Sequence, residues 1–111
     1  MSGFERSETD EFARGARALV VYPELPGRAS VGPDSRLAEA EGLALAIGLN
    51  VVRKKHYRVR SPRAVTLLGG GQVEEIAEMG RELEADLLIV DASLTAIQQR
   101  NLEERTGLKT I

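Results

Sequence analysis

The residues best suited to chemistry in this chain are a run of cations between positions 53 and 63. The interval from Gly42 to Val73 contains no Asp or Glu to neutralise them. Lys and Arg with aromatic rings between them can neutralise phosphates and stack on unpaired bases, which favours RNA contact. A solvated edge strand, protected from aggregation by its charge, explains the composition equally well. The candidate RNA-binding residues are Arg53, Lys54, Lys55, His56, Tyr57, Arg58, Arg60 and Arg63.

A glycine triplet, Gly69, Gly70 and Gly71, stands just before a helical pattern. The amides at the start of a helix can hold a phosphate, so this triplet is a candidate anion- or nucleotide-binding loop. A P-loop would need Gly-Lys-Ser or Gly-Lys-Thr, and a dinucleotide fingerprint would need a third glycine where Glu74 stands. Carboxylates this close to the helix start would repel a nucleotide. The sequence therefore favours a structural turn.

A second polar cluster lies near the carboxyl end of the chain. Its residues are Gln98, Gln99, Arg100 and Asn101. All four side chains can donate hydrogen bonds to phosphate, sugar or base edges. The same groups could equally tie their helix to a neighbouring domain. We therefore predict an interdomain or an RNA contact here, without preference between them.

Residues for catalysis or metal binding are scarce. The chain has no cysteine, which excludes disulfides, thiolate metal sites and thiol catalysis. His56 is its one histidine, and Lys55 and Tyr57 beside it offer no carboxylate to orient it as a base. Asp91 follows a predicted strand without the paired acids of a magnesium pocket, so we expect it to accept hydrogen bonds from the turn after it. We predict no catalytic residue and no metal site, and hence no enzymatic activity of this segment alone.

The apolar pattern predicts the elements that position these residues. Ala16 to Tyr22 is typical of a strand buried on both faces, which Pro23 would end. A first helix follows, capped by Asp34 or Ser35 and stopped by Gly48. Its predicted inner face comprises Leu37, Ala40, Leu43, Ala44 and Ile47.

The basic run belongs to a second predicted strand, Asn50 to Arg60. Alternation places Lys54, His56, Arg58 and Arg60 on one side of it and Arg53, Lys55, Tyr57 and Val59 on the other. We expect only its first half, around Val51 and Val52, to lie in the sheet. The charged second half should run out past the sheet, because a central strand could not desolvate so many charges.

The rest of the chain continues the alternation of strands and helices. A second helix should bury Val73, Ile76, Ala77, Gly80 and Leu83. A third strand, Asp86 to Val90, leads to a third helix with a capping box of Thr95 and Gln98 and a stop at Gly107. A final strand starts at Lys109. This order predicts an α/β class, a small three-layer fold with about four mainly parallel strands.

Several strings in the sequence also resemble a known family. They are Ala18 to Pro23, Leu67 to Ile76, and the series Asp91, Leu94, Thr95, Gln98, Arg100, Asn101, Leu102 and Glu103. From about Arg17 to Ile111 the chain closely resembles the N-terminal domain of the HflX family of ribosome-associated GTPases. That family usually has Lys where this chain has Gln72, which puts an anion-binding role of this position in doubt.

The resemblance implies a function that the residues alone leave open. It implies a cytoplasmic domain that contacts the large (50S) ribosomal subunit and its rRNA in ribosome splitting, rescue or biogenesis. It also implies that GTP and Mg²⁺ belong to a GTPase domain that is absent from this chain. The chain would then be truncated after residue 111 and would itself hold no cofactor. We expect residues 1–15 to be a disordered leader, 16–111 to be the domain, and no membrane span.

Two other functions remain open under the same resemblance. The chain could be an interaction module that docks and regulates its own GTPase domain through the acidic second helix and the polar third helix. It could also be a weak ATP-binding domain, with Arg63 and the glycine triplet as the place to look.

Overall fold

A four-stranded sheet with helices on both faces makes up the part of the chain that the structure describes. This computed structural model describes residues 15–27 and 32–111, so the predicted leader lies outside the described residues except for Gly15. The elements are β1 (Arg17–Glu24), α1 (Pro33–Ala46), β2 (Asn50–Arg58), α2 (Gly70–Glu82), β3 (Leu87–Val90), α3 (Ala96–Thr106) and β4 (Lys109–Thr110). The strand order is β2-β1-β3-β4, and each pairing is parallel. The predicted α/β class and the alternation of elements are confirmed.

Strand β1 lies at the centre of the fold because its residues are apolar on both faces. Leu19 and Val21 pack with α2 and α3 in one core cluster. Val20 and Tyr22 pack with α1 on the opposite face of the sheet. Strands covered on both faces need such an uninterrupted apolar run. The three layers are therefore α1, the sheet, and the pair α2 and α3.

Strand β1 extends through Pro23, which the sequence predicted to end it. Pairing between β1 and β3 ends at Val21 with Val90, whereas pairing between β1 and β2 continues to Glu24 with Arg58. The Val21 carbonyl accepts a hydrogen bond on the β3 side, and the Glu24 carbonyl accepts one on the β2 side. Because backbone groups alternate along a strand, the nitrogen of Pro23 faces the β3 side, where pairing has already stopped. A missing N–H costs no ladder bond there.

Strand β2 lies in the sheet over its whole length, so the prediction that its second half leaves the sheet is wrong. Its residues pair with β1 from Asn50 to Arg58. The desolvation argument holds for a central strand, but β2 is an edge strand. An edge strand leaves one side and the ends of long side chains in water, which is a common place for charge.

Helix α1 buries a narrower face than predicted. Leu37, Ala40 and Ala44 are buried as expected, but Leu43 is 69% exposed and Ile47 is 51% exposed. Leu43 and Ile47 are four residues apart, so they share a stripe that faces away from the sheet. The helix begins with Gly32 as N-cap and Pro33 in its first turn, not with Asp34 or Ser35 as cap. Gly48 has the predicted left-handed conformation, at φ 88°.

Helices α2 and α3 match the predicted patterns. Val73, Ile76, Ala77 and Gly80 are buried on α2, whereas Leu83, also predicted to be buried, is the C-cap and only half-buried. On α3 the predicted capping box is present, since Thr95 Oγ1 accepts from the Gln98 amide at 3.0 Å and Gln98 Oε1 accepts from the Thr95 amide at 2.9 Å. Gly107 ends the helix in the left-handed conformation, at φ 74°.

The cap of α3 leads to a testable expectation. Thr95→Ala removes the hydroxyl acceptor and should lower the free energy of unfolding by about 1 kcal/mol. Urea unfolding followed by circular dichroism measures this change. Thr95→Ser keeps the acceptor and serves as the control, and an equal loss in both variants would show that the hydroxyl does not stabilise the helix start.

Candidate nucleic-acid interface

The cations of β2 alternate between the two faces of the sheet, as predicted. On the α1 face, Lys54 Nζ donates to Glu41 Oε1 at 2.9 Å. His56 Nε2 lies 2.6 Å from Glu24 Oε1. The expectation that no carboxylate orients His56 is therefore wrong, since the partner comes from the adjacent strand and not from the neighbouring residues. These two side chains have partners within the fold and are less available to a ligand.

The His56 ring continues into a chain of contacts at the carboxyl ends of β1 and β3. Its ring stacks on Tyr22 with centroids 5.6 Å apart. The Arg36 guanidinium lies 5.1 Å from the centroid of the Tyr22 ring. Arg36 also donates to both carboxylate oxygens of Asp91, at 3.1 and 3.2 Å. The hydrogen bond and charge of Asp91 raise the pKa of Arg36 above its usual value.

Asp91 therefore has a different partner from the predicted one. We expected backbone amides of the next turn, but its carboxylate accepts from Arg36 in α1. A cavity of about 220 Å³ beside this pair is lined by Tyr22, Pro23, Leu25, Arg36, Asp91, Ala92 and Ser93. Because Arg36 and Asp91 neutralise each other, the pair is a structural tie between α1 and the end of β3.

On the other face of β2, Tyr57 is part of the core. Its ring is buried, and its hydroxyl donates to Glu75 Oε1 in α2 at 2.5 Å. Lys55 Nζ lies 5.6 Å from the centroid of that ring, and Arg53 contacts the Met79 sulfur at 3.8 Å. Burial, and then the bond to Glu75, raise the pKa of Tyr57 above its usual range. Tyr57 therefore anchors β2 to α2, with its ring covered.

The raised pKa of Tyr57 predicts a stability that depends on alkaline pH. The folded state binds the proton of the Tyr57 hydroxyl more tightly than the unfolded state does. The contribution of this group to the free energy of unfolding is therefore complete below the unfolded pKa of about 10 and is lost as pH rises above it. Tyr57→Phe removes both the titration and the bond to Glu75. We expect the unmodified chain to lose more stability than Tyr57→Phe between about pH 9 and 11.5, as measured by urea unfolding. Parallel declines in the two proteins would contradict this.

The remaining cations of the basic run have no acidic partner among residues 15–27 and 32–111. They are Arg53, Lys55, Arg58, Arg60 and Arg63. Arg58, Arg60 and Arg63 are exposed, and Lys55 is half-buried. They follow the edge strand and the loop after it. We call these five residues the basic edge.

The glycine triplet is at the start of α2 but its first amide is already bonded. Gly69 is the N-cap, and its N–H donates to Gln72 Oε1 at 3.0 Å. Gln72 Nε2 donates to the Arg58 carbonyl at 3.1 Å. A surface groove of about 680 Å³ next to the triplet is lined mainly by α2, including Glu74, Glu75 and Glu78. The amide cap and the carboxylates make this helix start unfavourable for a phosphate.

The amides of α3 make long-range bonds that sequence reasoning missed. Gln98 Nε2 donates to the Arg63 carbonyl and Asn101 Nδ2 to the Val65 carbonyl, each at 2.9 Å. Gln99 Nε2 donates to the Thr110 carbonyl in β4 at 2.7 Å. Arg100 is exposed. No local pattern could have found these pairs, because their partners are 11 to 36 residues away.

Within residues 15–27 and 32–111, no three His, Asp or Glu side chains come together in a way that could hold a metal ion. In the same residues, no helix combines the length and apolar character needed to cross a membrane.

Comparison with known proteins extends this description. Residues 34–111 match the family model described as GTP-binding GTPase N-terminal. The GTPase HflX of Chlamydia pneumoniae is 37% identical over 76 residues, which are 68% of this chain and 16% of that protein. The GTPase HflX of Magnetococcus marinus is 37% identical over 75 residues, 68% of this chain and 17% of that protein. The GTPase HflX of Akkermansia muciniphila is 29% identical over 100 residues, 90% of this chain and 22% of that protein.

The matched relatives are several times longer than this chain, which spans 16 to 22% of their length. The family match covers α1 to β4 and so includes the basic edge, the glycine triplet and the polar residues of α3. The resemblance seen in the sequence is thereby confirmed: the chain belongs to the GTP-binding GTPase N-terminal family and is similar to the amino-terminal part of the HflX GTPases.

Proposed function

We propose that this chain is the ribosome-binding and regulatory domain of a cytoplasmic HflX-like GTP-binding protein. It would associate with the large (50S) ribosomal subunit and act in ribosome splitting, rescue or biogenesis. Its relatives are named GTPases, and the chain spans less than a quarter of their length. We therefore assign the binding of GTP and Mg²⁺ to other parts of a longer protein. The role proposed for residues 16–111 is recognition of the ribosome without hydrolysis.

The observation that carries the proposal is the basic edge. Its five cations have no acidic partner in the described residues and lie along the edge strand of the sheet and the loop after it. The opposite sign is concentrated on α2, where Glu74, Glu78 and Glu82 are exposed. A polyanion is attracted to the cations of the edge strand and repelled by the carboxylates of α2. rRNA phosphates are the partner that this charge pattern fits.

Three residues of the basic run are less available than the others for contact with RNA. Lys54 and His56 have acidic partners, and Tyr57 is buried. Contact through aromatic stacking by Tyr57 would require it to leave the core. The proposal therefore depends on the guanidinium and ammonium groups of the basic edge, which favour phosphate contacts over base stacking.

A second candidate function is docking onto the GTPase domain of the same longer protein. Ile97, at the start of α3, is 67% exposed, and the groove beside α2 carries three carboxylates. These groups could form a contact that responds to the nucleotide state. An ATP-binding role at the glycine triplet is less favourable, because Gln72 and the glutamates of α2 surround the loop.

Co-sedimentation of the chain with purified large ribosomal subunits tests the proposal. If roughly 3 to 5 cations meet phosphates, log affinity should fall with log salt at a slope of roughly −2 to −5. A docking module would bind its GTPase domain with little response to salt. Absence of binding to the subunits at low salt by a chain that is folded by circular dichroism would reject direct ribosome contact and favour docking.

A further inference from the structure

The segment after β2 is a small loop closed on itself. Arg63 and Leu67 exchange backbone hydrogen bonds of 3.1 and 2.8 Å. Leu67 has φ 67°, in the left-handed region that a leucine rarely adopts. Leu67 and Leu68 are buried, whereas Arg63 to Val65 are exposed. A strained residue persists only where its surroundings hold it, and such residues cluster at functional sites.

Helix α3 holds the exposed part of this loop through two side-chain amides. Gln98 and Asn101 are three residues apart, so they lie on one face of the helix. Gln98 donates to the Arg63 carbonyl and Asn101 to the Val65 carbonyl, each at 2.9 Å. Gln98 is buried and its oxygen also accepts from Thr95, so its amide has both ends occupied. The loop is therefore fastened at two carbonyls that are two residues apart, those of Arg63 and Val65.

Two guanidinium groups belong to the attached segment. Arg60 and Arg63 are exposed, and neither forms an ion pair with an acid of the described residues. Guanidinium groups suit phosphate because they donate paired hydrogen bonds in a fixed plane. The two amides of α3 therefore hold the backbone from which Arg63 extends.

We propose that Gln98 and Asn101 are positioning residues that hold the loop from Arg60 to Val65 in its binding conformation, so that Arg60 and Arg63 together contact one stretch of rRNA backbone. This inference rests on the proposed function and deepens it. The α3 amides then serve binding without touching the RNA. A loop that is already ordered loses less conformational freedom on binding.

The variant Asn101→Leu tests the positioning role. It removes the donor to Val65 without adding charge and keeps a good helix former. We expect affinity for purified large ribosomal subunits to fall roughly 3- to 10-fold, with the slope of log affinity against log salt unchanged, since no phosphate contact is lost. Hydrogen exchange of the Leu67 amide, which donates to Arg63, should become faster. Unchanged affinity with faster exchange would overturn the positioning role.

Single variants Arg60→Ala and Arg63→Ala test the contacts. Each should make the salt slope shallower by about 0.7 to 0.9 and leave the exchange of the Leu67 amide unchanged. Arg81→Ala, on the exposed side of α2, removes one charge away from the loop and should leave the slope as it is. If Arg63→Ala leaves the slope unchanged while the unmodified chain binds, the inference fails and the proposed function stands. Lack of binding by the unmodified chain overturns both.

Discussion

Replacing Lys55, Arg58, Arg60 and Arg63 together by Ala should reduce affinity for large ribosomal subunits on the order of 100-fold at moderate salt. Each cation that meets a phosphate releases counterions, so its loss also makes the salt slope shallower by roughly 0.7 to 0.9. These side chains have no acidic partner in the described residues, and the three arginines are exposed. The variant should therefore stay folded. Co-sedimentation across a salt series gives both the affinity and the slope.

The matched control removes two cations that do not belong to the basic edge. Arg81 and Arg105 line the groove beside α2. Changing both to Ala alters net charge without touching the basic edge, and we expect at most about a twofold loss of affinity. Equal losses in the two variants, after correction for the number of charges removed, would mean that the domain binds by overall charge and that the basic edge is not the contact surface.

The second large effect is expected on stability, from one residue of α3. Leu102 is fully buried and packs in the core cluster of β1, β3 and α2. Leu102→Ala should lower the free energy of unfolding by about 3 kcal/mol, from lost apolar transfer and the cavity left behind. For a domain of this size that corresponds to a decrease in Tm of roughly 15 °C. Thermal unfolding followed by circular dichroism measures it.

A neighbour on the same helix provides the control for Leu102. Ile97 is 67% exposed, so Ile97→Ala removes little buried surface and should change stability by about 0.5 kcal/mol at most. The same Ile97→Ala variant distinguishes the two candidate functions, because loss of GTPase-domain binding without loss of ribosome binding would assign α3 to docking. A small effect of Leu102→Ala would mean that α3 is not an integral part of the core.

The local features of the fold could be read from neighbouring residues. Thr95 with Gln98, and Gly107 after them, marked the two ends of α3, because a capping box and a left-handed glycine act within a single helical turn. The apolar residues of β1 predicted a strand covered on both faces. Leu43 and Ile47 show the limit of such patterns, since they are apolar and correctly spaced and yet point to solvent. Periodicity shows which residues share a face and not how wide a face the sheet can cover.

How much of β2 lies in the sheet depends on which strands are its neighbours, and those neighbours are distant in the sequence. The charges from Lys54 to Arg58 excluded a central strand, but only the strand order β2-β1-β3-β4 showed that the whole strand is an edge. The candidate site was affected in the same way. Lys54 and His56 gained carboxylate partners from Glu41 and Glu24, which are 13 and 32 residues away in the sequence. Because of these pairs, Lys54 and His56 are less available for contact with a ligand.

The sequence by itself determined the α/β class, the caps of α3, the buried central strand, the clustering of cations and the resemblance to the HflX family. All of these depend on residue type and on spacing over a few positions. The tertiary structure decided which cations remain unpaired, that Tyr57 is a core residue, and that the amides of α3 hold the loop at Arg63 and Val65. The reason is that hydrogen bonds and ion pairs form between whichever groups packing brings within about 3 Å, and sequence separation carries no record of that distance.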